Sequence, residues 1–400
     1  MLAKWGICQT ASIHFEIKNG KAKKVEIFNN DYSDATVMFK DRSFTLPLEN
    51  GKANKSLSLS KPIFINAYYE ESPQKSFNYS LYLSPGDNLD ITFDVNASKW
   101  IVTGKGSENN QPLIQNFKDD INRDLFEKDS LPYHVLTEIQ RQKDSNEIVL
   151  NKYVNQYKPT NAFIKAYSLM NQYFPLYSYI DFKGDHKYKI RDAYSRNENK
   201  WQEIEDSLTK AIPVDNKAAL NIPNYVYFLP IYLIRIKERL RNEQYKDPNT
   251  FFKEWYGTDS IQNGMRIMND DPENDLKERI INKYFSDKTA EFLYAIILQE
   301  SFEGKQDNIP EIYERFKIKY PHSQYTPYIE PEVQKIIARR NKKITDNMVL
   351  IENTDSLQTF NDILKLVKGK TVLLDMWGTW CEPCRAELLA HSESIKNHFK

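Results

Sequence analysis

The sequence predicts a multidomain chain: an N-terminal antiparallel β sandwich or barrel over residues 10–106, a central all-α domain over 107–345, and a C-terminal α/β unit over 346–400. Three observations predict it. Apolar and polar residues alternate in short runs up to residue 102. Alternation then gives way to long charged segments with apolar residues at helical spacing. Near the end, a continuous apolar run leads into a Cys-x-x-Cys turn. With 400 residues, the chain has room for two or three cores.

The β region reads as Ile13–Ile17, Val25–Phe28, Thr36–Phe39, Ile63–Tyr69, Leu89–Val95 and Trp100–Val102. Asn19-Gly20, Asn50-Gly51 and Ser84-Pro-Gly-Asp-Asn88 supply the turns, because Asn and Gly accept the left-handed backbone that tight turns require. Pro47 and Pro62 mark strand starts or edges. Gly104-Lys-Gly106 lacks the third glycine and the strand-to-helix setting of a dinucleotide loop, so it reads as a plain turn.

Helical segments begin at Pro112–Phe117 and continue through Asn161–Met170, Tyr225–Arg241, Ala290–Gln299, Glu311–Lys319 and Pro331–Lys342. Prolines at 213, 223, 230, 272, 310, 321, 327 and 331 predict many short helices, since a proline interrupts the helical hydrogen-bond ladder. Ala290–Gln299 is almost entirely apolar and reads as buried. His134, His186 and His322 stand without ligand-type neighbours at metal spacing, so each reads as structural.

In the C-terminal unit, Met348–Ile351 reads as a short strand. Asp355 then caps a helix whose apolar positions are Leu357, Phe360, Ile363, Leu364 and Val367, and Gly369 closes it. Thr371–Leu374 suits a buried strand. The helix after the Cys-x-x-Cys turn carries Ala386, Leu389, Ile395 and Phe399 as its inner side.

Composition narrows the classes of function. Lys+Arg and Asp+Glu both number 55, so the neutral chain offers no electrostatic case for nucleic acid or an anionic membrane. Three cysteines do not make a disulfide scaffold; a spaced pair and a stray Cys8 point to a redox or metal pair. No run reaches the ~18 apolar residues of a membrane span. The first eight residues contain no apolar stretch of signal-peptide length, and Cys8 after Trp-Gly-Ile reads as an ordinary packed cysteine rather than a lipidation site.

The chemistry concentrates in Cys381-Glu-Pro-Cys384. Two cysteines three positions apart at a helix start can bond without moving the backbone. There the unpaired N–H groups and the positive end of the helix dipole stabilise a thiolate on Cys381. Cys384, one turn inside, resolves the mixed disulfide. Pro383 stiffens the bridge. Glu382 sets a negative charge beside the thiolate, which favours a reducing pair, and Arg385 offsets part of that charge. Asp375, near the end of the preceding strand, has two readings: a desolvated proton relay for Cys384, or a carboxylate that caps the turn. Trp377 and Trp380 shield the sulfurs. Two more ligands would be needed for a metal site, and His391 and His398 do not have finger spacing, so neither metal nor cofactor is expected.

The segment Leu374-Asp-Met-Trp-Gly-Thr-Trp-Cys-Glu-Pro-Cys-Arg-Ala-Glu387 resembles the active site of TlpA/ResA-like thiol–disulfide oxidoreductases of the thioredoxin superfamily. The wider layout resembles envelope proteins of Bacteroidetes-type bacteria, through Leu83-Ser-Pro-Gly-Asp87, Gly104-Lys-Gly-Ser-Glu-Asn-Asn110 and Tyr320-Pro-His-Ser323. The resemblance implies an extracytoplasmic reductase, in the cell envelope or periplasm, serving a role such as cytochrome c maturation. Its partners would be a protein thiol or disulfide and a membrane or thioredoxin-type electron donor. It also implies further strands, a helix and a cis-Pro loop that do not occur before Lys400, so residues 346–400 are expected to be an incomplete thioredoxin-like domain. A non-catalytic envelope binding or scaffold protein carrying a remnant redox segment is the alternative.

Overall fold

The structure is a computed structural model. It describes residues 9–271, 273–302, 308–341 and 357–369, together with Val372, Gly378, Cys381, Pro383, Cys384, Glu387, His391, Ser394, Asn397 and His398. The chain divides into two units, Met1–Arg340 and Asn341–Lys400.

The first unit opens with strands β1 (Gln9–Lys18), β2 (Lys24–Asn29), β3 (Ser43–Pro47), β4 (Lys52–Leu59), β5 (Ile63–Ser72), β6 (Lys75–Leu83), β7 (Asn88–Asp94) and β8 (Lys99–Lys105). They form two four-stranded sheets, ordered β4-β1-β7-β8 and β3-β2-β5-β6. Alternate residues of both sheets, among them Ile13, Phe15, Ile65, Leu81, Ile91 and Phe93, meet in one buried core. The ladders are antiparallel except β1–β7, which runs parallel. Such a pair needs a long crossover rather than a hairpin, and here the whole β2–β6 segment makes it.

The stretch Thr36–Phe39 is not a strand. It forms the short helix α1 (Ala35–Phe39), because the Asp34 carboxylate accepts from the N–H groups of Thr36 (2.9 Å) and Val37 (3.3 Å) and caps the turn.

The helical body contains α2 (Tyr133–Tyr157), α3 (Asn161–Ile190), α4 (Asp192–Ser195), α5 (Glu198–Ala211), α6 (Pro223–Lys246), α7 (Pro248–Tyr256), α8 (Ile261–Asp270), α9 (Asp275–Tyr284), α10 (Asp287–Ser301), α11 (Ile309–Lys319) and α12 (Thr326–Arg340). Thr160 caps α3, and Pro223, Pro248 and Pro310 stand in first turns, where a missing N–H costs nothing. Several helices are longer than the prolines suggest. Pro175, Pro230 and Pro331 lie inside α3, α6 and α12, held there by packing of the helices' buried faces. Pro112–Asn116 is a short 3-10 turn.

Two joints tie the sandwich to the helical body. At the first, Gly106 adopts a left-handed φ of 93°, and a Cβ there would overlap the Asp87 carboxylate. The Asn109 side-chain oxygen accepts from Thr160 N (2.9 Å) at the head of α3. The Asn110 side chain accepts from Tyr82 N (2.8 Å) and donates to Tyr82 O (3.0 Å) and Gly106 O (2.9 Å). The Tyr79 hydroxyl donates to Asn110 O (2.6 Å). The Tyr153 hydroxyl donates to Glu108 O (2.9 Å). The second joint grips the α1 region: Tyr325 Oη and Gln324 Nε2 donate to Ser33 O (2.6 and 3.0 Å), Gln299 Nε2 donates to Met38 O (2.9 Å), and Phe39 stacks on Tyr328. The segments 83–87, 104–110 and 320–323 therefore lie in or beside these joints. Phe64 and Tyr82, from the outer face of the β3-β2-β5-β6 sheet, belong to the helical body's apolar core.

In the second unit, α13 (Phe360–Leu366) is capped by Thr359, not Asp355. Thr359 and Asp362 exchange side-chain-to-backbone bonds in a capping box. Gly369 follows with a φ of 81°.

Candidate redox site

Cys381 and Cys384 are bonded to each other, with Cα atoms 5.3 Å apart, within the usual range for a disulfide. Both are half-buried, and Pro383 between them is exposed. The Cys381 N–H donates to Gly378 O (2.9 Å), which closes the turn before the pair. Pro383 and Cys384 are helical, and Glu387, His391, Ser394, Asn397 and His398 continue in helical conformation. The Cys384 N–H points at Cys381 Sγ (3.4 Å). Pro383 has no N–H to offer, so this backbone donor is directed at the sulfur proposed to carry the thiolate. A donor so aimed stabilises developing negative charge on sulfur.

Asp375, Trp377, Trp380, Glu382 and Arg385 lie outside the described residues, as do Cys8, Met348–Ile351 and Asp355. His391 and His398 are exposed. Among the described residues, no three His, Cys, Asp or Glu side chains converge as metal ligands do. His186 is buried against Phe182 and Trp201, with Nε2 at 2.5 Å from Asp129 O.

The first unit contains a feature that no motif announced: a cleft of about 600 Å³ between the β5–β6 edge of the sandwich and helices α3 and α6. Asn66, Asn78 and Ser80 line its sheet side, and Tyr167, Tyr177 and Tyr227 its helical side. Lys118, Asp119 and Asp120 line the connection between them. Burial raises the Asp120 carboxyl above the usual range, against the opposing pull of Arg123, which also bonds Asp181. These residues come from five separate segments, so only packing could bring them together.

Over 34 residues, 8% of its length, the chain is 53% identical to thiol-disulfide oxidoreductase ResA of Bacillus subtilis (strain 168). It spans 18% of that protein's length. No family model matches the chain, and no solved structure matches it. The local match carries a weak likeness to the thioredoxin-like thiol–disulfide oxidoreductases, confined to those 34 residues.

Proposed function

We propose that the chain exchanges thiols and disulfides through Cys381 and Cys384, working as a reductase in the cell envelope. The closed pair, with the Cys384 N–H directed at Cys381 Sγ, carries this reading. The Cys381 thiolate attacks one sulfur of a substrate protein disulfide. The substrate S–S bond breaks, its second sulfur leaves as a thiolate, and a mixed disulfide forms. The Cys384 thiolate then attacks Cys381 Sγ, releasing the other substrate thiolate and leaving the pair oxidised. Asp375 takes the Cys384 proton in this scheme, and Glu382 holds the couple on the reducing side. A dithiol donor, of membrane or thioredoxin type, restores the reduced pair by the same exchange in reverse.

The test is a redox titration of the folded chain, with alkylation trapping and mass spectrometry. The pair should interconvert reversibly at a potential below about −200 mV. A Cys384→Ser variant should accumulate the mixed disulfide, and Cys381→Ser should form none. A pair that stays inert toward disulfide substrates while the protein is folded refutes the reading.

A binding or scaffold role is the second reading, favoured by the first unit having its own cores. Proteolytic removal of residues after 345 with partner binding unchanged would support it.

A further inference from the structure

A repeated chemical device operates at and beside the cleft at β6. Gln115, which lines the cleft, and Asn110 and Asn146 nearby each hold the backbone N–H and C=O of a single residue. Asn110 pairs with the N–H and C=O of Tyr82. Gln115 pairs with those of Ser80, accepting at 2.9 Å and donating at 2.8 Å. Asn146 pairs with those of Lys118, at 2.9 and 2.8 Å. An amide side chain can do this because it carries a donor and an acceptor side by side, as a peptide group does. β6 is the edge strand of its sheet, and Asn110 and Gln115 occupy part of the backbone edge that would otherwise recruit a further strand.

Three amides that line the cleft have no such partner. The side chains of Asn30, Asn66 and Asn78 form no hydrogen bond among the described residues. Asn66 stands directly opposite Ser80 in the β5–β6 ladder, and Asn78 two pairs further along, opposite Tyr68 and on the same face. On that face Phe64 and Tyr82 are packed into the helical body, and Asn66 and Asn78 follow where the sheet leaves it. The opposite wall offers the half-buried rings of Tyr177 and Tyr227, 6.3 Å apart. The Asp119 carboxylate is exposed and in no ion pair among the described residues, while Asp120 is neutralised by Arg123. With one lysine and two carboxylates, the lining provides no basic cluster for a phosphate. Its volume lies within the ~300–1,000 Å³ of small binding sites.

We propose that this cleft binds an extended polypeptide segment. Asn66 and Asn78 pair with the N–H and C=O of its residues as Asn110, Gln115 and Asn146 pair with those of the chain's own, and Tyr177 and Tyr227 receive its side chains. Recognition of main chain by side-chain amides reads extended conformation rather than sequence, so the occupant is an unfolded stretch of protein. The site requires nothing of Cys381 or Cys384.

The probe is fluorescein-labelled α-lactalbumin, reduced and fully carboxymethylated. It is permanently unfolded and carries neither thiols nor disulfides, so its binding is independent of redox chemistry. Fluorescence anisotropy with the full chain should give saturable binding that native α-lactalbumin does not. The double variant Asn66→Ala/Asn78→Ala should retain its circular dichroism and melting temperature and lose affinity at least about tenfold. Asn30→Ala, on a different segment, should weaken binding in the same direction. No binding of the unfolded probe overturns the proposal, as does equal binding by the double variant. Displacement of the probe by cellotriose or maltotriose also overturns it and assigns the cleft to a glycan.

Discussion

Asn110 is fully buried, and its side chain makes three hydrogen bonds at the first joint. Asn110→Ala removes all three and strands Tyr82 N and Tyr82 O, while Gly106 O keeps the Asn109 N–H. At about 1 kcal/mol net per bond the loss is near 3 kcal/mol, and a buried group left unpaired costs about 1–3 kcal/mol by itself. The expected destabilisation is therefore roughly 3–5 kcal/mol, large among single substitutions. Asn110→Asp should be at least as harmful, because it keeps the acceptor for Tyr82 N but replaces the two donated bonds with carboxylate-to-carbonyl repulsion. Urea denaturation followed by tryptophan fluorescence measures the effect, as a lowered midpoint with the slope unchanged. An Asn110→Ala protein within about 1 kcal/mol of wild type would refute the reasoning.

Gly106→Ala should cost about 2–4 kcal/mol by the same assay, since its left-handed φ and the Asp87 carboxylate both exclude a Cβ. Lys183 and Glu205 pair at 2.7 Å with side chains only 6% exposed, so Lys183→Met should cost about 3–5 kcal/mol, and Lys183→Met/Glu205→Leu should recover most of it. Burial raises the Glu238 carboxyl, but Arg235 and Lys187 outweigh burial and hold it below its ordinary value. A depressed carboxyl stabilises the fold above its unfolded pKa of about 4.3 and loses that contribution as pH falls through the folded value. Because the Glu238 side chain is 44% exposed, screening limits the effect: Glu238→Gln should cost under about 1 kcal/mol at pH 7, and the difference from wild type should shrink as pH falls below about 4.3. A difference constant with pH would exclude the two ion pairs as its source.

The sequence made some elements plain and concealed others, for physical reasons. Ile63–Tyr69 alternates because one face of β5 lies in the sandwich core. Lys52–Leu59 escapes notice because β4 is a sheet edge, mostly exposed, and needs few apolar residues to hold its place. Thr36–Phe39 has strand-like composition, and the deciding residue, Asp34, lies just outside it. Pro230 suggests a helix end, yet burial of the surrounding face of α6 outweighs the bond it removes. The paired cysteines are legible because their chemistry depends on local spacing alone. The cleft is not, because Asn66, Lys118, Tyr177 and Tyr227 meet only after the sandwich docks on the helices.

The two joints also have a mechanical consequence. A body fastened at one place can swing about that place in any direction; a second fastening, at the α1 region, leaves only rotation about the line through both. Pulling on the sandwich should transmit the load to α10 and α12 directly, and the 340-residue unit should yield in one event rather than shedding its sheets first.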